Sequence, residues 1–297
     1  MVTYVKRVAV ILLGLSLWKV SHAESQDIMV LPVSIDDAGS YHIAAEPLHI
    51  TYREGYDNQP KFSHDGQSLF FTRMQPRVDK ASEAQTDIYR YQFGSGKLSN
   101  LTETEEHSEY SATPYDKSHI SIIGVNPAGQ QHLRLVNLDT KKHQSLRTDI
   151  EPVGYHAWMT DTQAAVFVLG DVMTLQVLDT ESDAKPDVLA SNIGRCFERL
   201  PSGDVTLTLE RDGVHQLYQL NQEHQLQSLD ISLPKGVQDY VWLDDETVIV
   251  GNNSALELVS SKGRELLIDL ASLQVNGISR LALSPDKTKL ALVYNRP

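Results

Sequence analysis

Short apolar and polar runs alternate along this chain in a unit that recurs several times. Each unit opens with a turn containing Asp or Gly, as in Phe62–Gly66 and Leu283–Lys287, and continues with a short apolar strand and further alternating strands. The six turn positions, 65, 116, 161, 202, 245 and 286, lie 51, 45, 41, 43 and 41 residues apart. A repeat of this length built from short strands is typical of propeller blades. The pattern predicts an all-β, six-bladed β-propeller of four-stranded blades.

The last unit has only two strands of its own, Leu281–Leu283 and Lys289–Tyr294. The missing pair appears near the start of the chain. There Asp27–Pro32 resembles the third-strand segment Asp87–Gln92, and Leu48–Thr51 resembles a fourth strand. We therefore expect the N-terminal segment to complete the last blade, which closes the ring by hydrogen bonds and leaves no open sheet edge.

The Ser-Pro-Asp-Gly-like turns, the Asp-Ile-Tyr segment at 87–89 and the split last blade resemble the TolB-type WD40-like propeller family over Asp27–Pro297. The same repeat forms the propeller of prolyl oligopeptidase-type enzymes. The resemblance implies the fold and leaves function open. TolB carries an α/β domain before its propeller, which we do not expect here, so its envelope role and its partner Pal are not carried over. The Gly-x-Ser-x-Gly elbow of the peptidases is absent from the sequence.

The first residues are typical of a signal peptide. Lys6 and Arg7 precede an apolar run over Val8–Leu17, and Ser21–Ala23 supplies small residues for a peptidase. We predict a signal peptide over 1–23, cleavage after Ala23, and a single propeller domain over 24–297. The apolar run is shorter than the roughly 20 residues of a membrane span, so we expect no span in the mature protein. The mature protein is predicted to be periplasmic or secreted.

The net charge of −13 becomes −16 on cleavage, because the leader contains three basic residues and no acid. An acidic surface repels phosphate backbones, so we expect no nucleic-acid partner. The long-range field favours cationic ligands, metals or a basic protein surface, unless the charge serves only to keep an exported protein soluble. The single cysteine, Cys196, allows no internal disulfide. We expect a monomer.

Candidate chemistry lies where the innermost strands begin, at the predicted mouth of the central channel. Aligning the turns places these segments there: Asn58-Gln59, Glu109-Tyr110, Gly154-Tyr155-His156, Arg195-Cys196, Gln238-Asp239 and Ser279-Arg280. Acids and bases around one opening can hold a polar or zwitterionic ligand by charge-assisted hydrogen bonds, or can pair with each other across blades. The predicted ligand-binding residues are Glu109, Tyr155, His156, Arg195, Asp239 and Arg280.

These observations favour a non-enzymatic binding or protein-interaction module with a protein partner or small polar ligand at the channel mouth. No catalytic constellation is visible, and we expect no cofactor. A metal on Glu109, His156 and Asp239 has no spacing signature to support it. Two alternatives stay open: a metal-dependent propeller lactonase or lyase, by analogy of fold alone, and an envelope scaffold acting through its broad faces.

Overall fold

The structure, a computed structural model, describes residues 25–36, 41–77, 80 and 82–296. The predicted signal peptide and its cleavage site after Ala23 lie outside these residues. Within them, no helix has the length and apolar composition needed to span a bilayer.

The described chain is built almost entirely of strands, with one 3₁₀ turn at Ala271–Leu273. In chain order the strands are β1 (Ser25–Ile35), β2 (Tyr41–Ile43), β3 (Leu48–His49), β4 (Asp57–Phe62), β5 (Ser68–Pro76), β6 (Ala84–Gln92), β7 (Lys97–Asn100), β8 (Ser108–Pro114), β9 (His119–Val125), β10 (Gln131–Asn137), β11 (His143–Ser145), β12 (Val153–Trp158), β13 (Gln163–Val168), β14 (Thr174–Asp179), β15 (Ala190–Ser191), β16 (Glu198–Arg199), β17 (Val205–Arg211), β18 (Val214–Leu220), β19 (Leu226–Ser232), β20 (Tyr240–Trp242), β21 (Thr247–Asn252), β22 (Ala255–Ser260), β23 (Gly263–Asp269), β24 (Asn276–Leu283) and β25 (Lys289–Arg296).

These strands form six antiparallel sheets, which confirms the predicted all-β, six-bladed propeller. Blades 1 to 5 are the four-stranded sheets β4–β7, β8–β11, β12–β15, β16–β19 and β20–β23. Blade 6 consists of β24, β25 and β1, with both β2 and β3 paired to β1. The sequence pattern indicated β3 but gave no sign of β2.

The N-terminal strand closes the ring as predicted. Residues 25–32 of β1 pair with residues 289–296 of β25 in eight consecutive positions. Along β1 the side chains alternate between the two neighbouring blades, as the period of a strand requires. Ile28 and Val30 pack in a cluster with Phe71 of blade 1, whereas Met29 and Leu31 pack with residues of blade 5.

The resemblance between the segments at Asp27 and Asp87 has a structural cause. In blade 6, Thr51 Oγ1 accepts a hydrogen bond from the backbone N–H of Ile28 at 2.9 Å and donates to Asp27 Oδ1 at 3.0 Å. In blade 1, Thr102 Oγ1 accepts from the N–H of Ile88 at 3.0 Å, in the equivalent place. The Asp-Ile pair is therefore a recurring anchor between the third strand and the end of the fourth.

Two tryptophans join neighbouring blades, in agreement with the packing role that the sequence indicated. Trp158 donates its indole N–H to Ser121 Oγ of blade 2 at 2.8 Å, and Trp242 donates to Thr206 Oγ1 of blade 4 at 2.8 Å. Each hydroxyl lies on the second strand of the preceding blade. The repeated unit therefore includes the same hydrogen bond to the preceding blade in blades 3 and 5.

Closure by β1 leads to a stability prediction. Leu31 is fully buried between blades 5 and 6, so Leu31→Ala should lower the free energy of unfolding by about 2–5 kcal/mol. Leu48 is 38% exposed, and the matched change Leu48→Ala should cost less than about 0.5 kcal/mol. Urea denaturation measures both. Removing residues 24–52 altogether should abolish cooperative unfolding, and a truncated chain that still unfolds cooperatively would contradict closure by β1.

Candidate functional site

Four of the six predicted site residues meet in one hydrogen-bonded cluster at the centre of the propeller. Arg195 Nη2 donates to Asp239 Oδ2 at 2.7 Å, and Arg280 Nη1 donates to Asp239 Oδ1. Arg280 Nη2 also donates to Tyr155 Oη at 2.9 Å. Because these residues come from blades 3 to 6, the contact between Arg280 and Tyr155 joins opposite sides of the ring. We call these four residues the channel cluster.

Contacts within the channel cluster favour the charged form of Arg280. Burial alone would lower the pKa of Arg280, but the Asp239 carboxylate and nearby Tyr155 outweigh it, and the net shift is upward. The guanidinium carbon of Arg280 also lies 5.2 Å from the centre of the Tyr155 ring, within cation–π range. The guanidinium groups of Arg195 and Arg280 share the single carboxylate of Asp239.

A second tyrosine, Tyr56, lies beside the cluster and was not predicted. Its pKa is raised chiefly by burial, with a further increase from Tyr155 and a decrease from Arg280 and Arg195. Tyr56 precedes β4, and its place just outside a strand gave no pattern by which to find it.

A cavity of about 190 Å³ extends from the channel cluster to the opposite face of the propeller. All four cluster residues line its inner end, and turn residues at the far ends of the inner strands, including His64, Thr160 and Asp161, line its rim. We call this cavity the well. It opens at the turn side, whereas the sequence pattern predicted a mouth at the start of the inner strands.

Three residues of the channel cluster lie between the well and a second cavity. This second cavity, of about 370 Å³, lies on the predicted mouth side between blades 5 and 6. Arg195, Asp239, Arg280 and Leu281 line both cavities. The cluster is therefore reachable from two sides.

An ion pair that no sequence pattern indicated crosses the well. Lys61 Nζ of blade 1 lies 2.7 Å from Glu198 Oε1 of blade 4, the blade directly opposite. Both residues lie further along their inner strands than the channel cluster. They are 137 positions apart, so no local motif could reveal them.

His156 lines the well without joining the channel cluster. Its Nε2 lies 2.6 Å from Ser121 Oγ, and its pKa is lowered to about 3 by burial and, less, by Lys61. The imidazole is therefore neutral. Among the residues that the structure describes, its Nδ1 has no hydrogen-bond partner. Ser121 is fully buried and outside the well lining, so the Ser121–His156 contact lacks both the access and the orienting carboxylate of a nucleophilic triad.

Glu109 lies apart from the cluster because blade 2 is offset by one residue from the sequence alignment. In blade 1 Lys61 pairs with Phe70, and in blade 2 Thr113 pairs with Ser121, so Lys61 and Thr113 occupy equivalent positions. Two residues earlier in each strand, the counterpart of Gln59 is therefore Ser111 and not Tyr110. Gln59 and Ser111 share the left-handed backbone conformation, with φ of 56° and 55°. This register sets Glu109 level with the buried Asp57, away from the channel. A shift of one residue turns a side chain to the other face of a strand.

Glu109 instead lies next to a second buried acid. Its carboxylate accepts a hydrogen bond from Thr104 Oγ1 at 2.9 Å, and both Glu109 and Asp87 are fully buried. Burial, followed by the neighbouring Asp87, raises the pKa of Glu109 to about 8. Gln75 and Asn100 donate to Asp87 Oδ2 at 2.5 and 2.6 Å. The two acids therefore hold a proton between blades 1 and 2 at neutral pH.

The three residues considered as metal ligands are dispersed. His156 contacts Ser121, Asp239 contacts two arginines, and Glu109 lies between blades 1 and 2. Within the described part of the chain, no group of three or more His, Cys, Asp or Glu side chains is placed to hold a metal ion.

Comparison with solved structures confirms the resemblance to TolB-type propellers at the level of the fold. A protein of Agrobacterium tumefaciens provisionally named TolB is 13% identical, with a TM-score of 0.64, covering 93% of this chain and 99% of its own. A provisionally named gluconolactonase is 11% identical, with a TM-score of 0.61 and coverage of 89% and 97%. An oligogalacturonate lyase of Vibrio parahaemolyticus is 10% identical, with a TM-score of 0.53 and coverage of 88% and 82%.

Identity this low carries the propeller fold and no activity. No protein-family model matches the sequence, and no curated protein matches it. The neighbours bear the names TolB, gluconolactonase and oligogalacturonate lyase, so the function has to be argued from the channel itself.

The buried acid pair gives a pH prediction. Since the folded state raises the pKa of Glu109 from 4.5 to about 8, the unfolded chain releases this proton first as the pH rises. The contribution of Glu109 to stability is complete below about pH 4.5 and is lost towards pH 8, at up to about 1.4 kcal/mol per pH unit. Glu109→Gln should remove this loss, so its stability relative to wild type should rise across that range.

Glu105, an exposed acid in the loop that precedes β8, offers the control. Glu105→Gln should leave the pH profile of wild type unchanged in urea denaturation. Parallel profiles for wild type and Glu109→Gln would show that Glu109 ionises normally and that no proton is held between the blades.

Proposed function

We propose that this protein is an exported, non-enzymatic binding protein that holds a small polar ligand at the channel cluster. The ligand enters the well from the turn side and meets Tyr155, Arg195, Asp239 and Arg280 at its inner end. Export to the periplasm or beyond follows from the predicted signal peptide. The TolB-like fold is consistent with this role.

Unused hydrogen-bond donors at the end of an open cavity are the observation that carries the proposal. Arg195 spends its Nε and Nη2 groups on Asp239, and Arg280 spends Nη1 and Nη2 on Asp239 and Tyr155. Arg195 Nη1 and Arg280 Nε donate to no described residue, and neither atom is fully buried. Small-molecule sites are concave pockets with a few convergent polar groups, so accessible donors at the end of the well are available to a ligand.

The size of the well limits what it can hold. Its volume of about 190 Å³ falls below the roughly 300–1,000 Å³ of pockets for drug-sized molecules. A small metabolite, or one charged side chain of a protein partner, fits this space. A large oligosaccharide does not.

Ligand capture tests the proposal. The mature protein is immobilised and exposed separately to the small-molecule fraction and to the protein fraction of an envelope extract from its source organism. Arg280→Gln removes the donors at the end of the well, so it should retain at least tenfold less of the captured compound or partner than wild type. Circular dichroism verifies that the variant is folded.

Arg211, an exposed residue at the end of β17, provides a control with the same change of charge. Arg211→Gln should capture as much as wild type. The proposal would be overturned if the wild-type protein retained nothing specific from either fraction. It would also be overturned if Arg280→Gln retained as much as wild type.

A further inference from the structure

The local charge of the well is opposite to that of the whole protein. The chain has a net charge of −13, and this acidity by itself favours cationic ligands. The lining of the well contains four cationic side chains, Lys61, Arg195, Arg199 and Arg280, against three carboxylates, Asp161, Glu198 and Asp239. Fields within a narrow cleft are set by the nearest charges, because solvent screens the distant ones.

The two carboxylates inside the well are already occupied by its own cations. Both oxygens of Asp239 accept hydrogen bonds from Arg195 and Arg280, and Glu198 Oε1 accepts from Lys61. A cationic ligand would have to displace these partners. Arg195 and Arg280 keep N–H groups that these contacts do not use, and an N–H can only donate.

His156 adds a further donor. Ser121 Oγ accepts a hydrogen bond from Trp158 Nε1 at 2.8 Å and has one proton to donate. It lies 2.6 Å from His156 Nε2 and 3.3 Å from the carbonyl oxygen of Thr113. In the tautomer in which Ser121 donates to Nε2, Nδ1 carries the ring proton.

That tautomer leaves a buried donor without a partner. His156 is 6% exposed, and within the described residues its Nδ1 is unpaired, as is the hydroxyl of Ser111, which also lines the well. A buried N–H without an acceptor costs about 1–3 kcal/mol. A ligand oxygen would satisfy it.

We propose that the inner end of the well is an anion site, which recognises the carboxylate or phosphate group of the ligand through Arg195, Arg280 and His156. The inference rests on the proposed function, since it names the class of ligand that the well receives. Charge-assisted hydrogen bonds from guanidinium groups suit both kinds of oxyanion. The neutral imidazole supplies an N–H to the same oxygens.

Small probes test the site without knowledge of the natural ligand. Binding of acetate, inorganic phosphate and the neutral analogue acetamide to the mature protein is measured by calorimetry at constant ionic strength. At least one of the two anions should bind in the millimolar range, with acetamide at least tenfold weaker. The tighter of the two anions identifies a carboxylate or a phosphate as the natural group.

Variants locate the binding. Arg280→Gln and Arg195→Gln should each weaken the anion at least tenfold, and His156→Phe, which removes the N–H and keeps a ring, should weaken it at least threefold. Arg211→Gln should have no effect. Three results would each overturn the inference: equal binding of acetate and acetamide, no binding of either anion, or anion binding by Arg280→Gln as tight as by wild type. The last of these would mean an adventitious ion only.

The anion site and the proposed function fail in different ways. A neutral or cationic compound captured by wild type and lost in Arg280→Gln would refute the anion site and leave the binding function standing. Acetate or phosphate bound through Arg280, with nothing captured from the extract, would leave the anion site standing and refute the function.

Discussion

Pairing between β1 and β25 is the constraint on which the rest of the molecule depends. A propeller blade cannot bury both of its faces alone. An unpaired strand at the seam would expose backbone hydrogen-bonding groups that could pair with another chain and cause aggregation. Eight consecutive residue pairs join the two ends of the chain. Their side chains supply both neighbouring blades with apolar contacts. The seam also anchors Asp27, which accepts hydrogen bonds from Thr51 and Arg296.

Closure of the ring is also what assembles the channel cluster. Arg280 lies on β24 of the closing blade and contacts Asp239 of blade 5 and Tyr155 of blade 3. Buried charges are costly unless they are paired. The cluster meets that condition with two guanidinium groups on one carboxylate, which leaves a local excess of positive charge. An acidic protein can in this way present a cationic site inside a shielded cavity.

The sequence repeat predicted most of the fold, since turn spacing and strand patterning are local properties. The split last blade followed from the likeness of Asp27–Pro32 to Asp87–Gln92. Four of the six predicted site residues meet, because their blades keep a common register. Glu109 does not, since the residue with left-handed backbone in blade 2 is Ser111 and not Tyr110. Lys61 and Glu198 form an ion pair because blades 1 and 4 face each other across the ring. No local sequence pattern shows which blades face each other.

Anomalous diffraction from bromide shows directly whether the well receives anions. Crystals of the mature protein are soaked in bromide and measured at the bromine absorption edge. An anomalous peak in the well, in contact with Arg280 and Arg195 and absent from Arg280→Gln crystals, is the predicted result. Peaks confined to exposed lysines and arginines of the outer surface, with none in the well, would contradict a cationic channel site.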